Sequence, residues 1–315
     1  MKIAITGGTG FVGTAVTKAL IARGEEIKLL SRKEGTSKNG ALIVKVDYHS
    51  PQSLYSALNG HDAVIHLAAA LFCRSSQDYF KANTDSARNL KIAAEKAGIK
   101  KIVYVSSLAA GGAMPAEGPD RNEEIPDNPI SNYGKSKLAA ENELSSFSGS
   151  LSILRPPIVY GPKDAGFSKI AEWVRKGLMV VPGSAETRFS FIYLSDLAAC
   201  VEKALYTNLP SGEKYYVCEN STFKWGEFIE QMAMEMKVKR PKMISLPPAA
   251  LYAAGFIYEI ISYLAGAEPV LNRDKAREAA AGKWTCSPAK WEKETGHKNW
   301  TSLKEGLKMT FSEVK

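Results

Sequence analysis

Along the first half of the chain, short apolar blocks alternate with stretches in which apolar residues recur every three or four positions. Ile3-Ala4-Ile5-Thr6 is such a block and ends at Gly7, which predicts a buried strand. From Gly13 to Arg23 the spacing of Val16, Ala19 and Leu20 predicts a helix that Gly24 stops. Further strands are expected over Glu26–Leu30, Leu42–Val46, Ala63–Leu67, Lys101–Val105 and Leu151–Leu154. Helices are expected over Pro51–Leu58, Thr84–Ala97 (closed by Gly98) and Lys135–Leu144. Regular alternation of strand and helix predicts an α/β fold with a doubly wound parallel sheet covered on both faces.

The second half is less regular. Helices are expected over Phe167–Gly177, Ser195–Ala204 and Trp225–Met236, and strands over Arg188–Tyr193 and Tyr215–Val217. Residues 1–162 are therefore read as a nucleotide-binding domain to which 189–218 return. Residues 163–315 are read as mainly a smaller α+β substrate-binding region. From Leu246 to Ala267 the chain is apolar apart from Glu259 and a few Ser and Tyr, long enough to raise a membrane span. Glu259, the pair Pro247-Pro248 and the glycines Gly255 and Gly266 argue for a buried or lid helix instead. A dimer surface or a membrane contact are the other uses open to it. There is no internal repeat.

Composition narrows the class. With 45% hydrophobic and 23% charged residues, the 315-residue chain is neither disordered nor fibrous. The net charge of +8 invites a nucleic-acid reading, but the lysines are scattered, with pairs such as Lys100–Lys101 and the group Lys237, Lys239, Arg240 as the densest. A solvated surface favouring an anionic cofactor accounts for it better, and no nucleic-acid partner is expected. Cys73, Cys200, Cys218 and Cys286 show no metal or redox spacing and read as reduced thiols of a cytoplasmic protein. Met1-Lys2 leads straight into a strand, so no signal peptide is expected. His66 and His297 have no second ligand at metal spacing, and no metal is expected.

The glycine loop Gly7-Gly8-Thr9-Gly10-Phe11-Val12-Gly13 lies between the first strand and the first helix. Both G-x-G-x-x-G (8, 10, 13) and G-x-x-G-x-x-G (7, 10, 13) fit. Either would let backbone amides at a helix N-terminus approach a pyrophosphate, the signature of a Rossmann dinucleotide-binding unit. At the end of the second strand an NAD enzyme usually carries an acid for the ribose 2′-hydroxyl. Here stand Ser31-Arg32-Lys33, with no acid before Glu34. A guanidinium fork flanked by two more donors suits a 2′-phosphate, so NADP(H) is expected over NAD(H).

Tyr133 and Lys137 share a helix face one turn apart. An ammonium beside a phenol lowers its pKa and makes it a usable acid or base. Ser107, at the C-terminal end of a strand, could hydrogen-bond the same substrate oxygen.

The segments TGGTGFVG (6–13), VSS (105–107) and YGKSK (133–137) resemble the extended short-chain dehydrogenase/reductase superfamily, the NAD(P)-dependent epimerases and dehydratases. The resemblance covers residues 1 to about 220 and implies Ser107, Tyr133 and Lys137 as the catalytic set, with Lys137 also holding the nicotinamide ribose. It implies cofactor contacts from Asp47 and Tyr48 at the adenine, from Leu67, Ala68 and Ala69 beside the adenosine and pyrophosphate, and from Asn83. Pro156 and Ile158, in the segment Arg155–Pro162, would line the nicotinamide. It also implies a homodimer. Ser107-Leu108-Ala109 lacks the Thr-Asp-Glu of the sugar-nucleotide dehydratases, and Ala109–Gly112 lacks the V-Y-G of many epimerases. In place of the usual N-V-x-G-T stand Asn83–Ala87. The second half, with Trp284-Thr285-Cys286-Ser287, looks more like the 3β-hydroxysteroid dehydrogenase and dihydroflavonol reductase branch.

These features point first to an NADP(H)-dependent oxidoreductase interconverting a ketone and a secondary alcohol on an apolar or ring-containing substrate. A sugar-nucleotide epimerase is the alternative, and a non-catalytic NADP(H)-binding protein a further one. Tyr160, Arg188 and Tyr193 are the candidate substrate contacts.

Overall fold

The computed structural model describes residues 1–36, 40–264 and 272–312. The chain opens with β1 (Lys2–Thr6), α1 (Phe11–Ala22), β2 (Glu26–Ser31), β3 (Gly35–Thr36), β4 (Leu42–Lys45), α2 (Pro51–Leu58) and β5 (Ala63–His66). Then follow α3 (Ser76–Tyr79), a π-helical segment (Phe80–Asp85), α4 (Ser86–Lys96), β6 (Lys101–Val105), α5 (Leu108–Gly111), α6 (Asn132–Leu144) and β7 (Ser150–Arg155). The second half contains β8 (Ile158–Tyr160), α7 (Ala165–Arg175), β9 (Leu178–Pro182), β10 (Arg188–Tyr193), α8 (Leu194–Tyr206), β11 (Glu213–Tyr216), β12 (Thr222–Lys224) and α9 (Trp225–Glu235). It closes with β13 (Lys242–Leu246), α10 (Pro248–Leu264), α11 (Arg273–Ala280), α12 (Ala289–Thr295) and α13 (Leu303–Ser312).

The large lobe is a Rossmann fold. Its seven parallel strands run in the order β11-β7-β6-β5-β1-β2-β4, with β3 added antiparallel to β4 at one edge. Residue alternation along β1 assigns the two faces: Ile3 and Ile5 pack with Val16, Leu20, Leu205 and Trp291, whereas Ala4 packs with Leu54, Leu90 and Leu144. Helices α1, α8 and α12 thus cover one face, and α2, α4 and α6 the other. Central strands covered on both faces must be apolar throughout, which is why they are legible as unbroken runs. The sheet switches direction of winding at β1, between β5 and β2, and a crevice opens there at the strands' C-terminal ends.

The smaller lobe has a three-stranded sheet, β12-β10-β8, and a two-stranded parallel ribbon, β13-β9, around a core of Phe167, Phe191, Phe228, Met232 and Leu307. Of the segment 189–218, α8 packs on α1 and β11 pairs with β7 in the large sheet, but β10 heads the small one. The apolar stretch 246–267 divides into the end of β13 and helix α10, while 265–267 lie outside the described residues. No described helix is long and apolar enough to cross a membrane. Helix α6 starts at Asn132, three residues before the expected Lys135, because the Ser131 side chain accepts a hydrogen bond from Gly134 N (3.0 Å) and so caps it there.

Candidate active site

The site is assembled at the C-terminal edge of the large sheet. Gly7 leaves β1 with φ +69°, and a Cβ there would stand 2.7 Å from the backbone N of Ala68. A Cβ on Gly13 would stand 2.1 Å from the Gly7 carbonyl oxygen. Both positions therefore require glycine for the turn itself. Thr6, fully buried, pairs with His66 Nδ1 (2.6 Å) and accepts from Ala68 N (3.2 Å), which pins the loop after β5 to the loop after β1. Gly10 is the N-cap of α1, with no side-chain cap and no acid in the first turn. The amides of Phe11, Val12 and Gly13 therefore face an end that fits a pyrophosphate. Thr9 stands exposed in the same loop.

Ser31, at the end of β2, accepts from Lys33 N (3.2 Å), and Arg32 and Lys33 are exposed, Arg32 without an ion pair among the described residues. Asp47 is exposed after β4, and one of its oxygens accepts from His49 N (2.9 Å). Tyr48 donates its hydroxyl to the Leu30 carbonyl (2.7 Å), and burial pushes that phenol up to about 12. Ring surface is what Tyr48 has left to offer an adenine. Leu67, Ala68 and Ala69 follow β5 with partial to full exposure, facing the crevice mouth.

Asn83 is placed differently from expectation. It is buried, its Oδ1 accepts from Ala70 N (2.8 Å), and its Nδ2 donates to Ala70 O (3.2 Å) and Ser136 Oγ (2.9 Å). With its amide spent inside the protein, it ties the loop after β5 to α6 and has nothing left for a cofactor. It sits in the π-helical segment, a local widening of the helix that lets Asn83 and Thr84 both reach Ser136.

Ser107 caps α5, and its Oγ accepts from Ala109 N (3.1 Å). Tyr133 is buried against Tyr79, Cys73 and Ala109. Burial holds its phenol well above the ordinary value, and a hydrogen bond with the Ser107 side chain works in the opposite direction. Lys137 corrects a second expectation. Its ammonium donates to the Val105 carbonyl (2.9 Å) and lies 4.2 Å from the Tyr104 ring centroid. Burial lowers its pKa to about 7, opposed by Glu141 one turn along. Tyr104 in turn stacks on His66 (5.3 Å), which burial drives down to about 3 and so keeps neutral.

Beneath this group lies an ionic network with no sequence signal as a unit. Arg155 Nη1 and Nη2 meet Asp127 (2.5 and 2.9 Å), Nε and Nη2 meet Glu141 (2.9 and 2.5 Å), and Nη1 also meets Tyr216 Oη (2.9 Å). Lys214 adds a further bond to Asp127 (2.8 Å), and Ser106 donates to Glu141. The network joins the residue before Ser107, the helix of Tyr133 and Lys137, and the residue before Pro156. Pro156 is buried and accepts from Leu108 N (2.8 Å); Ile158 stands at the lip, partly exposed.

From the far end of the chain, Asp274 accepts from Asn132 N (2.8 Å to each oxygen) and Tyr133 N (3.4 Å), capping α6 from α11. Lys275 Nζ lies 5.2 Å from the Tyr133 ring centroid and 5.9 Å from that of Phe72, and pairs with Glu278 (2.6 Å). Trp284 packs against the Tyr133 cluster and donates to the Glu278 carbonyl (2.9 Å).

Two of the three expected substrate contacts are core residues. Tyr160 is 1% exposed, ringed by Phe167, Phe191 and Tyr193, with Gly306 at its hydroxyl. Tyr193 is buried in the same aromatic cluster. Neither presents surface to a ligand, because β8 and β10 turn these side chains into the small lobe. Arg188 is half-buried and donates to Thr222 O and Oγ1 (3.1 Å each), bridging β10 to β12.

The profile of the NAD dependent epimerase/dehydratase family matches residues 3–218. Among characterised proteins, the ceramide reductase of Caulobacter vibrioides is 28% identical over 291 residues, covering 91% of this chain and 86% of that one. The 2-alkyl-3-oxoalkanoate reductase of Stenotrophomonas maltophilia is 28% identical over 98% of both chains. Among solved structures, the Thermus thermophilus UDP-glucose 4-epimerase in complex with NAD superposes with a TM-score of 0.78 at 24% identity, covering 99% of this chain and 98% of that one.

Proposed function

Because the chain belongs to the NAD-dependent epimerase/dehydratase family, and is thus an NAD(P)-dependent enzyme of the extended short-chain dehydrogenase/reductase type, we propose that it is an NADP(H)-dependent reductase of a ketone on an apolar or ring-containing substrate. The observation that carries this is Tyr133, buried at the sheet edge with the Ser107 side chain acting against the rise in its pKa, and with Leu108, Ala109 and Ala110 in place of any acid after the serine. A nicotinamide bound there supplies the hydride. The residues supply the rest. Burial keeps Tyr133 Oη protonated at neutral pH, so the resting phenol is a donor, which suits reduction of a carbonyl. Ser107 Oγ steadies the same oxygen and lowers the cost of the phenolate left behind. Lys137, whose pKa burial lowers to about 7, would hold the ribose hydroxyls of a bound nicotinamide from the same helix as Tyr133.

The names of the two reductases, one for a ceramide and one for an alkyl oxoalkanoate, support a lipophilic substrate. The exposed Arg32 supports NADP(H). Homodimerisation and a cytoplasmic location complete the reading. NADPH and NADH are to be followed by absorbance with a panel of long-chain 3-oxo esters and cyclic ketones, beside UDP-sugars with NAD. Stoichiometric NADPH consumption with a ketone is the expected result. Sugar inversion without net cofactor turnover would replace it with the epimerase reading, which the NAD-bound structural neighbour favours. One charge-assisted contact is worth about 1.5–3 kcal/mol, or roughly 10- to 100-fold in affinity. The double change Ser31→Asp with Arg32→Ile is therefore expected to reverse cofactor preference by about that factor in a calorimetric titration; equal affinity of the unmodified protein for both cofactors would sink the assignment.

A further inference from the structure

Helix α10 presents an apolar stripe where a surface helix ordinarily carries polar residues. Ala249, Tyr252, Ala253 and Phe256 follow the i, i+3, i+4, i+7 spacing of one face, and all four are exposed. Tyr252, Phe256 and Tyr258 are 39%, 47% and 41% exposed. The opposite side, at Leu251 and Gly255, is buried, with Gly255 so close to the Asn272 backbone that a Cβ would stand 2.9 Å from its carbonyl carbon. The stripe is therefore a face left over after α10 has docked on α11.

Two features say what covers it. The first is that arginines surround its rings. The Arg273 guanidinium lies 5.3 Å from the Phe256 ring centroid, and that of Arg277 lies 5.9 Å from the Tyr252 ring and donates to its hydroxyl (3.1 Å). The one charged residue of α10, Glu259, is neutralised by Arg273 (2.7 Å). The second is the approach to β13. Lys237, Lys239, Arg240 and Lys242 are four exposed cations in six residues, faced by Glu230, which pairs with Arg240. Lys242 and Ile244 share the outer face of the ribbon with Leu178 of β9, and Ile244 and Leu178 are both exposed. Cations, aliphatic residues and amphipathic rings thus run continuously along the chain from 237 to 258.

We propose that this edge docks on an anionic lipid bilayer, with α10 lying in the plane of the interface. Exposed Tyr and Phe insert at headgroup depth, while Lys and Arg meet lipid phosphates. A spanning helix is not required, and none is described. The docked edge lies one helix from Tyr133, since α11, against which α10 packs, caps the catalytic helix through Asp274. The inference does not depend on which reaction Tyr133 serves.

The test is sedimentation of the full-length protein with phosphatidylcholine vesicles, with and without phosphatidylglycerol. The expected result is roughly tenfold or greater preference for the anionic vesicles, falling as salt is raised. The pair Tyr252→Ser with Phe256→Ser should reduce binding at least about tenfold, with the thermal midpoint monitored. The exposed pair Lys239→Glu with Arg240→Glu provides a second variant that leaves α10 and α11 untouched, breaks only the surface pair with Glu230, and should abolish the anionic preference. Failure of the unmodified protein to sediment with anionic vesicles overturns the proposal, as does wild-type binding by the Lys239/Arg240 variant. A dimer that the Tyr252/Phe256 variant dissociates, without vesicle binding by either protein, also overturns it and assigns the face to a second copy of the chain.

Discussion

In the large lobe, β1, β5 and β6 run through the interior and meet partners on both faces, and the functional residues stand at their ends. In the small lobe the strands are three to six residues long, two sheets share one aromatic core, and the strand residues point into that core. The same residue type therefore has different meanings in the two places. Tyr133 is buried beside a serine hydroxyl at a sheet edge, whereas Tyr160 is buried among Phe rings with its hydroxyl unpaired. A tyrosine after a strand is a candidate acid only where the sheet delivers a second polar group to it. The second half of the chain nevertheless reaches Tyr133 through backbone contacts, since Asp274 caps α6.

The sharpest way to break this contrast is Tyr133→Phe. Turnover should fall by about 10²–10⁴-fold while cofactor affinity in a binding titration holds, since only a hydroxyl is removed. Unchanged kcat would mean the buried phenol is as silent as that of Tyr160.

Next in size is the network beneath it. Arg155→Met leaves Glu141 as a buried carboxylate without its cation and leaves Asp127 with Lys214 alone, at a cost of about 3–5 kcal/mol in urea unfolding. A loss under about 1 kcal/mol would show that the network does not found the site.

Asp274→Ala removes one of the links from α11 to α6. Loss of a helix cap costs about 0.5–2 kcal/mol. Because the bond is made to Tyr133's own turn, kcat should fall more than KM changes, and Asp274→Asn, which keeps an acceptor, should recover most of it. Equal stability loss with unaltered kcat would make α11 a cover and nothing more.

The small lobe's own acid makes stability depend on pH. Glu219 accepts from Leu303 N (3.2 Å) at the start of α13, and burial raises its pKa to about 7. The folded state holds this proton where the unfolded chain, ordinarily near 4.5, has released it. Stability therefore declines as pH rises from about 4.5 to 7 and the penalty is constant above. Glu219→Gln should stabilise the protein by on the order of 1–3 kcal/mol at pH 8 and lose that advantage near pH 4.5. An advantage independent of pH would show that Glu219 does not titrate in that window.

What could be read without coordinates were features that neighbours in the chain decide. The central strands β1, β5 and β6 are near-continuous apolar runs because both faces are covered. The glycine loop is legible because a turn from strand to helix needs a positive φ at Gly7 and no Cβ at Gly13, and Tyr133 and Lys137 share a face because a helix repeats every 3.6 residues. The ends of β2 and β4 are legible for the same reason, and Arg32 and Asp47 stand exposed just beyond them. Short ribbons such as β9–β13 were not legible, since each strand is stabilised mainly by a partner more than sixty residues away.

The tertiary structure decided where those side chains are spent. Asn83 turns inward to Ala70 and Ser136, Lys137 turns to Val105 and Tyr104, and Tyr160 and Tyr193 turn into the small-lobe core. Asp274 reaches Asn132 across 142 residues of sequence, and Arg155 collects carboxylates from positions 127 and 141. Periodicity and turn chemistry act over one to four residues, so the sequence by itself determined most strands and helices of the large lobe and the turn between β1 and α1. Which polar group satisfies a buried donor depends on how distant elements pack, because the cost of leaving it unpaired is paid only once water has been excluded by the whole fold.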